Sequence, residues 1–163
     1  MVKKSGVVNN LLGVLRILMG WIFLWPFLDK LFGLGFSTAS DKSWLMGTSP
    51  TTGFLQFAAK GPFAGLYHAL VGNVIIDWLF MAGLLLIGLA LILGIGVRIA
   101  SYSGALLLLL MWTATLPPEH NPFLDEHIIY GLLLLSLANL KSGMYLGFGK
   151  QWNKLTKKNR WLE

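Results

Sequence analysis

Apolar residues in this chain gather into four long runs, separated by short clusters of charge, proline and glycine. Crossing about 30 Å of hydrocarbon takes roughly 20 helical residues. The runs near residues 8–32, 71–93, 97–116 and 123–140 reach or approach that length. Each predicts a transmembrane helix, because within lipid a helix satisfies its own backbone donors and acceptors. The expected fold is all-α: a four-transmembrane-helix bundle forming one membrane domain over residues 1–163.

The polar punctuation refines that frame. The first run follows Lys3 and Lys4, is far too long for a signal h-region and contains Arg16, so it predicts an uncleaved span. Pro26 predicts a kink or local loosening in it. The connection over residues 36–70 is too apolar for a disordered linker, carrying Trp44, Phe54, Phe57, Phe63 and Tyr67. Its Ser40–Asp41, Ser49–Pro50 and Gly61–Pro62 pairs are helix-start signals, predicting two or three short helices lying as a lid on the outer face. GIGVR (residues 94–98) predicts a tight turn and an antiparallel hairpin of spans two and three. Gly72, Gly83 and Gly88, with Ala100-x3-Gly104 and Ser101-x3-Ala105, predict close helix approach. Asn121 and Pro122 read as the N-cap and first position of span four. Residues 141–163, with Trp152, Leu155, Trp161 and Leu162 among lysines, read as an interfacial tail.

Charge sets the expected orientation. Ten of the thirteen Lys and Arg residues fall on one side, and Lys30, Lys42 and Lys60 on the other. The positive-inside bias therefore predicts a multi-pass cell-membrane protein with both termini cytoplasmic. Six of the seven acids lie on or near the opposite, outer face. Only 12% of residues are charged, about half the usual share of a soluble domain, while 55% are hydrophobic. The net charge of +6 therefore does not argue for nucleic acid, since no soluble basic face is available. With no cysteine, thiolate nucleophiles, zinc thiolate sites and cysteine-held iron–sulfur clusters are excluded.

Candidate chemistry concentrates at Pro117–Tyr130, which holds three of the seven acids and two of the three histidines. Asp125 is accounted for by the helix dipole. Glu126 and Tyr130 share a helix face and His127 and Tyr130 an adjoining one, a carboxylate, imidazole and phenol suited to proton relay or quinone hydrogen bonding. Asp77 is an ionisable residue inside a span, which calls for a partner or a cavity, and Lys30 is the expected ion-pair partner. Arg16 either snorkels to the inner headgroups or faces the bundle and binds an anion or a quinone carbonyl. Trp25 and Trp78 offer stacking surfaces. His68, His120 and His127 match no metal-ligand spacing, so neither metal nor haem is expected.

These residues carry a resemblance. LRILMGWIFLWPFLDKL (Arg16, Gly20, Asp29, Lys30), SWLMGTSPTTGF, LGIGVRIASYSGALL (Gly94, Gly96, Arg98) and LPPEHNPFLDEHIIY together resemble the DoxX/DoxD family of membrane proteins. That family includes the large subunit of thiosulfate:quinone oxidoreductase, and the resemblance covers nearly the whole chain. It implies a four-helix bundle with both termini inside. It also implies electron transfer from thiosulfate to membrane quinone, with a smaller partner subunit, and no agreed catalytic residues accompany it.

Two functions are therefore expected. In the first, the chain is a quinone-linked oxidoreductase subunit of the thiosulfate dehydrogenase (quinone) type, with quinone as co-substrate. Glu126, His127 and Asp77 are its catalytic candidates, and Lys30, Arg16, Trp25, Trp78 and Tyr130 its substrate- and quinone-binding ones. Lys42 or Lys60 could assist Lys30 in holding the sulfur anion. In the second, the chain is a non-catalytic scaffold or accessory subunit of a respiratory or oxidative-stress complex. Membrane lipid is a partner in both, and an oligomer is compatible with either.

Overall fold

The computed structural model describes residues 6–156. Four long helices run up and down: α1 (Gly6–Phe32), α3 (Val74–Leu93), α4 (Val97–Ala114) and α5 (Glu126–Asn139). The short helices α2 (Ala64–His68) and α6 (Gly149–Leu155) lie in the connections. Among the described residues there is no strand. We call the end holding Phe32, Val74, Ala114 and Glu126 the upper end, and the opposite one the lower end. Lys3, Lys4 and the tail's Trp161 and Leu162 lie outside the described residues.

Three helices, α1, α3 and α4, are long and apolar enough to cross a membrane. The run expected over residues 123–140 forms the shorter α5, 14 residues or about 21 Å of helix. It starts later than expected because Asp125, not Asn121, is the cap: its carboxylate accepts the His127 amide at 3.0 Å. Asn121 instead closes a turn, accepting the amides of Phe123 and Leu124.

α1 packs chiefly against α3 and α4 against α5, with α3–α4 contacts joining the pairs. Met19, Phe23, Leu84, Ile87, Leu91, Leu108, Leu134 and Leu137 fill the shared interior. The α1–α3 crossing is set by Gly20 and Gly88: a Cβ on Gly20 would stand 2.9 Å from the Gly88 carbonyl oxygen, and one on Gly88 2.9 Å from Leu24. Two backbones can touch there only because neither residue has a side chain. Gly72 and Gly83, expected to serve the same purpose, face open space. Gly104, the small residue of α4, does lie against Leu134, Phe23 and Ile87 at the bundle centre. The outward faces carry Leu18, Trp21, Leu79, Leu86, Leu106 and Leu132, all exposed, as a lipid-facing surface requires.

The long connection is a string of single helical turns at Ser40–Lys42, Trp44–Met46, Phe54–Ala58 and Gly61–Phe63, the last leading into α2. It is bonded to the upper end of α4, where Lys60 N–H donates to the Ala114 carbonyl at 2.8 Å. The Tyr67 hydroxyl donates to Leu110 O at 2.8 Å and lies 2.6 Å from Thr113 Oγ1.

Candidate functional site

The three buried charged residues of the spans, Arg16, Asp29 and Asp77, divide by what they touch. Arg16 is fully buried near the lower end, with no exposed surface, so it does not snorkel. Its Nη1 donates to the carbonyls of Leu91 and Ile92, and its Nη2 to those of Tyr145 and Leu146, both at 2.9 Å. The last four carbonyls of α3 are thereby all satisfied. Ala90 O accepts the Gly94 and Ile95 amides, Leu91 O and Ile92 O accept Arg16, and Leu93 O accepts the Phe148 amide at 2.8 Å. A cation at a helix C-terminus also meets the negative end of the dipole. The guanidinium is thus occupied on both terminal nitrogens by this chain's own backbone.

At the upper end, Asp29 and Asp77 treat the long connection in the same way. Asp29, 1% exposed, accepts the amides of Phe36 and Ser37 and the Ser37 hydroxyl at 2.6 Å. Asp77, 5% exposed, accepts the hydroxyls of Ser49 at 2.8 Å and Thr51 at 2.5 Å. The ion pair expected between Lys30 and Asp77 does not form. Short hydroxyls on a neighbouring loop satisfy a buried carboxylate without desolvating an ammonium or ordering its long stem. Ser49 is itself fixed by the Thr52 amide and hydroxyl, so SPTT (residues 49–52) works as one unit. That string was visible in the sequence, but nothing marked it as the partner of Asp77.

The aromatic candidates also face the connection. Trp25 meets Phe36 edge-on, with centroids 4.9 Å apart, and Trp21 lies 5.6 Å away. Trp78 meets Trp44 edge-on at 4.7 Å. Tyr130 is half-buried and packs against the apolar interior.

A different set converges at the upper mouth of α5. A recess of about 450 Å³ lies between residues 57–60 and 115–127. Lys60, Glu119, His120, Asn121, Asp125, Glu126 and His127 supply its polar lining, and Phe57, Ala58 and Leu124 its apolar lining. Lys30, Asp77, Trp25, Trp78 and Tyr130 do not line it, so the structure does not bring the whole predicted set together. Its volume falls in the usual small-molecule range of about 300–1,000 Å³.

One pair in the recess is built for proton chemistry. Asp125 Oδ2 lies 2.9 Å from His127 Nδ1, while Asp125 Oδ1 holds the His127 amide. The carboxylate therefore fixes both the backbone and the ring of the same residue. In the neutral imidazole this places the proton on Nδ1, leaving Nε2 as the basic atom. Both side chains are largely screened from solvent, at 16% and 14% exposure. Glu126, beside them, is exposed, and so are Glu119 and His120. Counting Lys60 and the three carboxylates, the lining is acid-rich, which favours protons and cations over anions. Among the described residues no three acidic or histidine side chains are grouped to hold a metal ion.

No protein-family model, curated protein or solved structure matches this chain.

Proposed function

We propose that the chain is the membrane subunit of a quinone-linked oxidoreductase of the DoxX/DoxD type, with the recess above α5 as its proton-handling site. In this reading α5, extended by the turns at its two ends, is the fourth span, and the upper end faces outward with the termini in the cytoplasm. The observation that carries the proposal is the Asp125–His127 pair on the wall of a recess that also has an apolar flank.

The residues fit a quinone ring in chemical type. Phe57, Ala58 and Leu124 offer it an apolar wall, and Phe57 and Leu124 are exposed where a lipid-soluble molecule can slide in. When bound, a quinone takes up two electrons and two protons. His127 Nε2 is the donor for both protons in turn, the ring being reprotonated between the two transfers and held in orientation by Asp125 at Nδ1. Glu126 and Glu119 at the exposed rim gather protons from water and return them to His127. Lys60 also lines the recess, and its ammonium there favours negative charge developing on a ring oxygen.

The acid-rich lining argues that thiosulfate, a dianion, is not bound in this recess. Oxidation of the sulfur anion then belongs to a partner subunit, and this chain serves the quinone side. The test is quinone reduction in proteoliposomes containing the purified chain and its co-purifying subunit, with thiosulfate as reductant. Quinol formation that depends on His127 is expected. Its absence with every co-purifying partner, or unchanged turnover in His127→Ala, would sink the proposal.

A second reading is an accessory subunit without turnover of its own. Arg16, Asp29 and Asp77 are all occupied by the chain's own loops, while Leu45, Met46, Phe57 and Leu66 stand exposed on the connection. A stoichiometric complex in which protein covers the recess would favour this reading.

A further inference from the structure

The four long helices differ in length, and the difference falls between the two packed pairs. α1 and α3 run 27 and 20 residues, about 40 and 30 Å, while α4 and α5 run 18 and 14, about 27 and 21 Å. α3 exposes apolar side chains along its whole length, from Val74 and Leu79 to Leu86 and Leu93. On α5 the exposed apolar side chains are Ile129 and Leu132, and exposed polar ones close the helix at both ends. Glu126 stands at the upper end and Asn139 at the lower, about 20 Å apart along the axis. Ser136, exposed between them, donates its hydroxyl to the Leu132 carbonyl at 2.8 Å and so is satisfied within the helix. α4, packed beside α5, repeats the short spacing. Tyr102 is exposed near its lower end, and Trp112 Nε1 donates to the Phe123 carbonyl at 3.1 Å near its upper end. Tyrosine and tryptophan settle at headgroup level, and these two are about 15 Å apart along the helix.

We infer that the bilayer is thinned against the α4–α5 side of the bundle, where its partner is phospholipid packed to roughly 20 Å of hydrocarbon instead of about 30 Å. An exposed carboxylate is costly in hydrocarbon and α5 cannot lengthen, so the lipids compress to keep Glu126 among the headgroups. The α3 side keeps the ordinary thickness. The inference rests on the reading of α5 as the fourth span. Its consequence for the recess above α5 is a headgroup plane drawn down to His127, where a ring carried in the hydrocarbon meets protons carried by water.

The chain has no cysteine, so single cysteines can carry a spin label at chosen positions. The test uses Phe123→Cys and Leu140→Cys, either side of α5, and Val74→Cys and Leu93→Cys, at the ends of α3, all at exposed positions. Each full-length variant is reconstituted in dioleoyl or dimyristoleoyl phosphatidylcholine, and collision of the label with a water-soluble nickel chelate is measured. The α5 labels should be equally accessible in the two bilayers, within about twofold, whereas the α3 labels should gain at least about threefold in the thinner one. A label at Leu132→Cys should collide with oxygen and not with the chelate. A threefold gain at all four positions, with the Phe123 and Leu140 cysteines reached by an impermeant maleimide from opposite sides of the membrane, would overturn the inference alone. Both cysteines reached from one side would remove α5 as a span and the fourth-span reading with it. Loss of oxygen collision at Leu132→Cys would show that a second copy or another protein covers α5, and would overturn the inference as well.

Discussion

Arg16 and Tyr145 are 129 residues apart, and the guanidinium of one donates to the carbonyl of the other at 2.9 Å. The same side chain reaches the last turn of α3, so one residue of the first helix fixes the end of the third and the segment after the fifth. Replacing Arg16 by Met leaves four carbonyls without their donor. We expect a loss of about 3 kcal/mol or more, measured by unfolding in mixed micelles. Arg16→Lys should recover only part of it, because a point ammonium cannot span two segments as a planar fork does.

Asp77→Ala releases the SPTT segment from α3, whereas Asp77→Asn keeps an acceptor for the Ser49 and Thr51 hydroxyls. The expected cost is about 1–2 kcal/mol for Ala and less for Asn. Limited proteolysis should read the difference, with cleavage between residues 36 and 58 accelerated in Asp77→Ala alone. Equal protection in both variants would show that the tether contributes nothing.

Such partner choices were the part of the molecule least legible in the sequence. The apolar runs announced α1, α3 and α4 because their length and the membrane's thickness constrain each other. Arg16 left no comparable signal, since its partners are backbone carbonyls, which every residue carries. Asp77 misled for a related reason: Lys30 has the complementary charge, but Thr51 has the shorter reach. At the mouth, Asn121 and Asp125 are both good caps, and only the fold decides that Asp125 starts the helix. The pairing of Asp125 with His127 was adjacent in sequence, yet dipole arguments alone accounted for the carboxylate and concealed it.

Asp125→Asn separates the two roles of that carboxylate. Asparagine caps a helix as well as aspartate, so thermal stability should hold within about 1 kcal/mol. With its oxygen capping the His127 amide, its NH2 group faces Nδ1 and cannot accept the ring proton, so in the proposed reaction thiosulfate-dependent quinone reduction should fall about tenfold, and His127→Ala should lower it about a hundredfold. Unchanged quinol formation in both variants would remove the pair from catalysis.

The glycines of α3 give a paired comparison. Gly88→Ala puts a methyl group 2.9 Å from Leu24 and should cost about 1–3 kcal/mol by forcing α1 and α3 apart. Gly83→Ala, five residues earlier, meets nothing within 4 Å and should be neutral or slightly stabilising, within about 1 kcal/mol. Thermal unfolding of the two variants in one detergent measures the contrast directly.

The Arg16 clamp also bears on the order of assembly. During synthesis α1 emerges first and carries its guanidinium before any of the four carbonyls that receive it has been made. Two of them arrive with α3, and the remaining two only with Tyr145 and Leu146, after every long helix has been translated. A nascent chain halted before that point holds a cation half-satisfied in its interior, so synthesis of the segment after α5 and closure of the bundle become the same event.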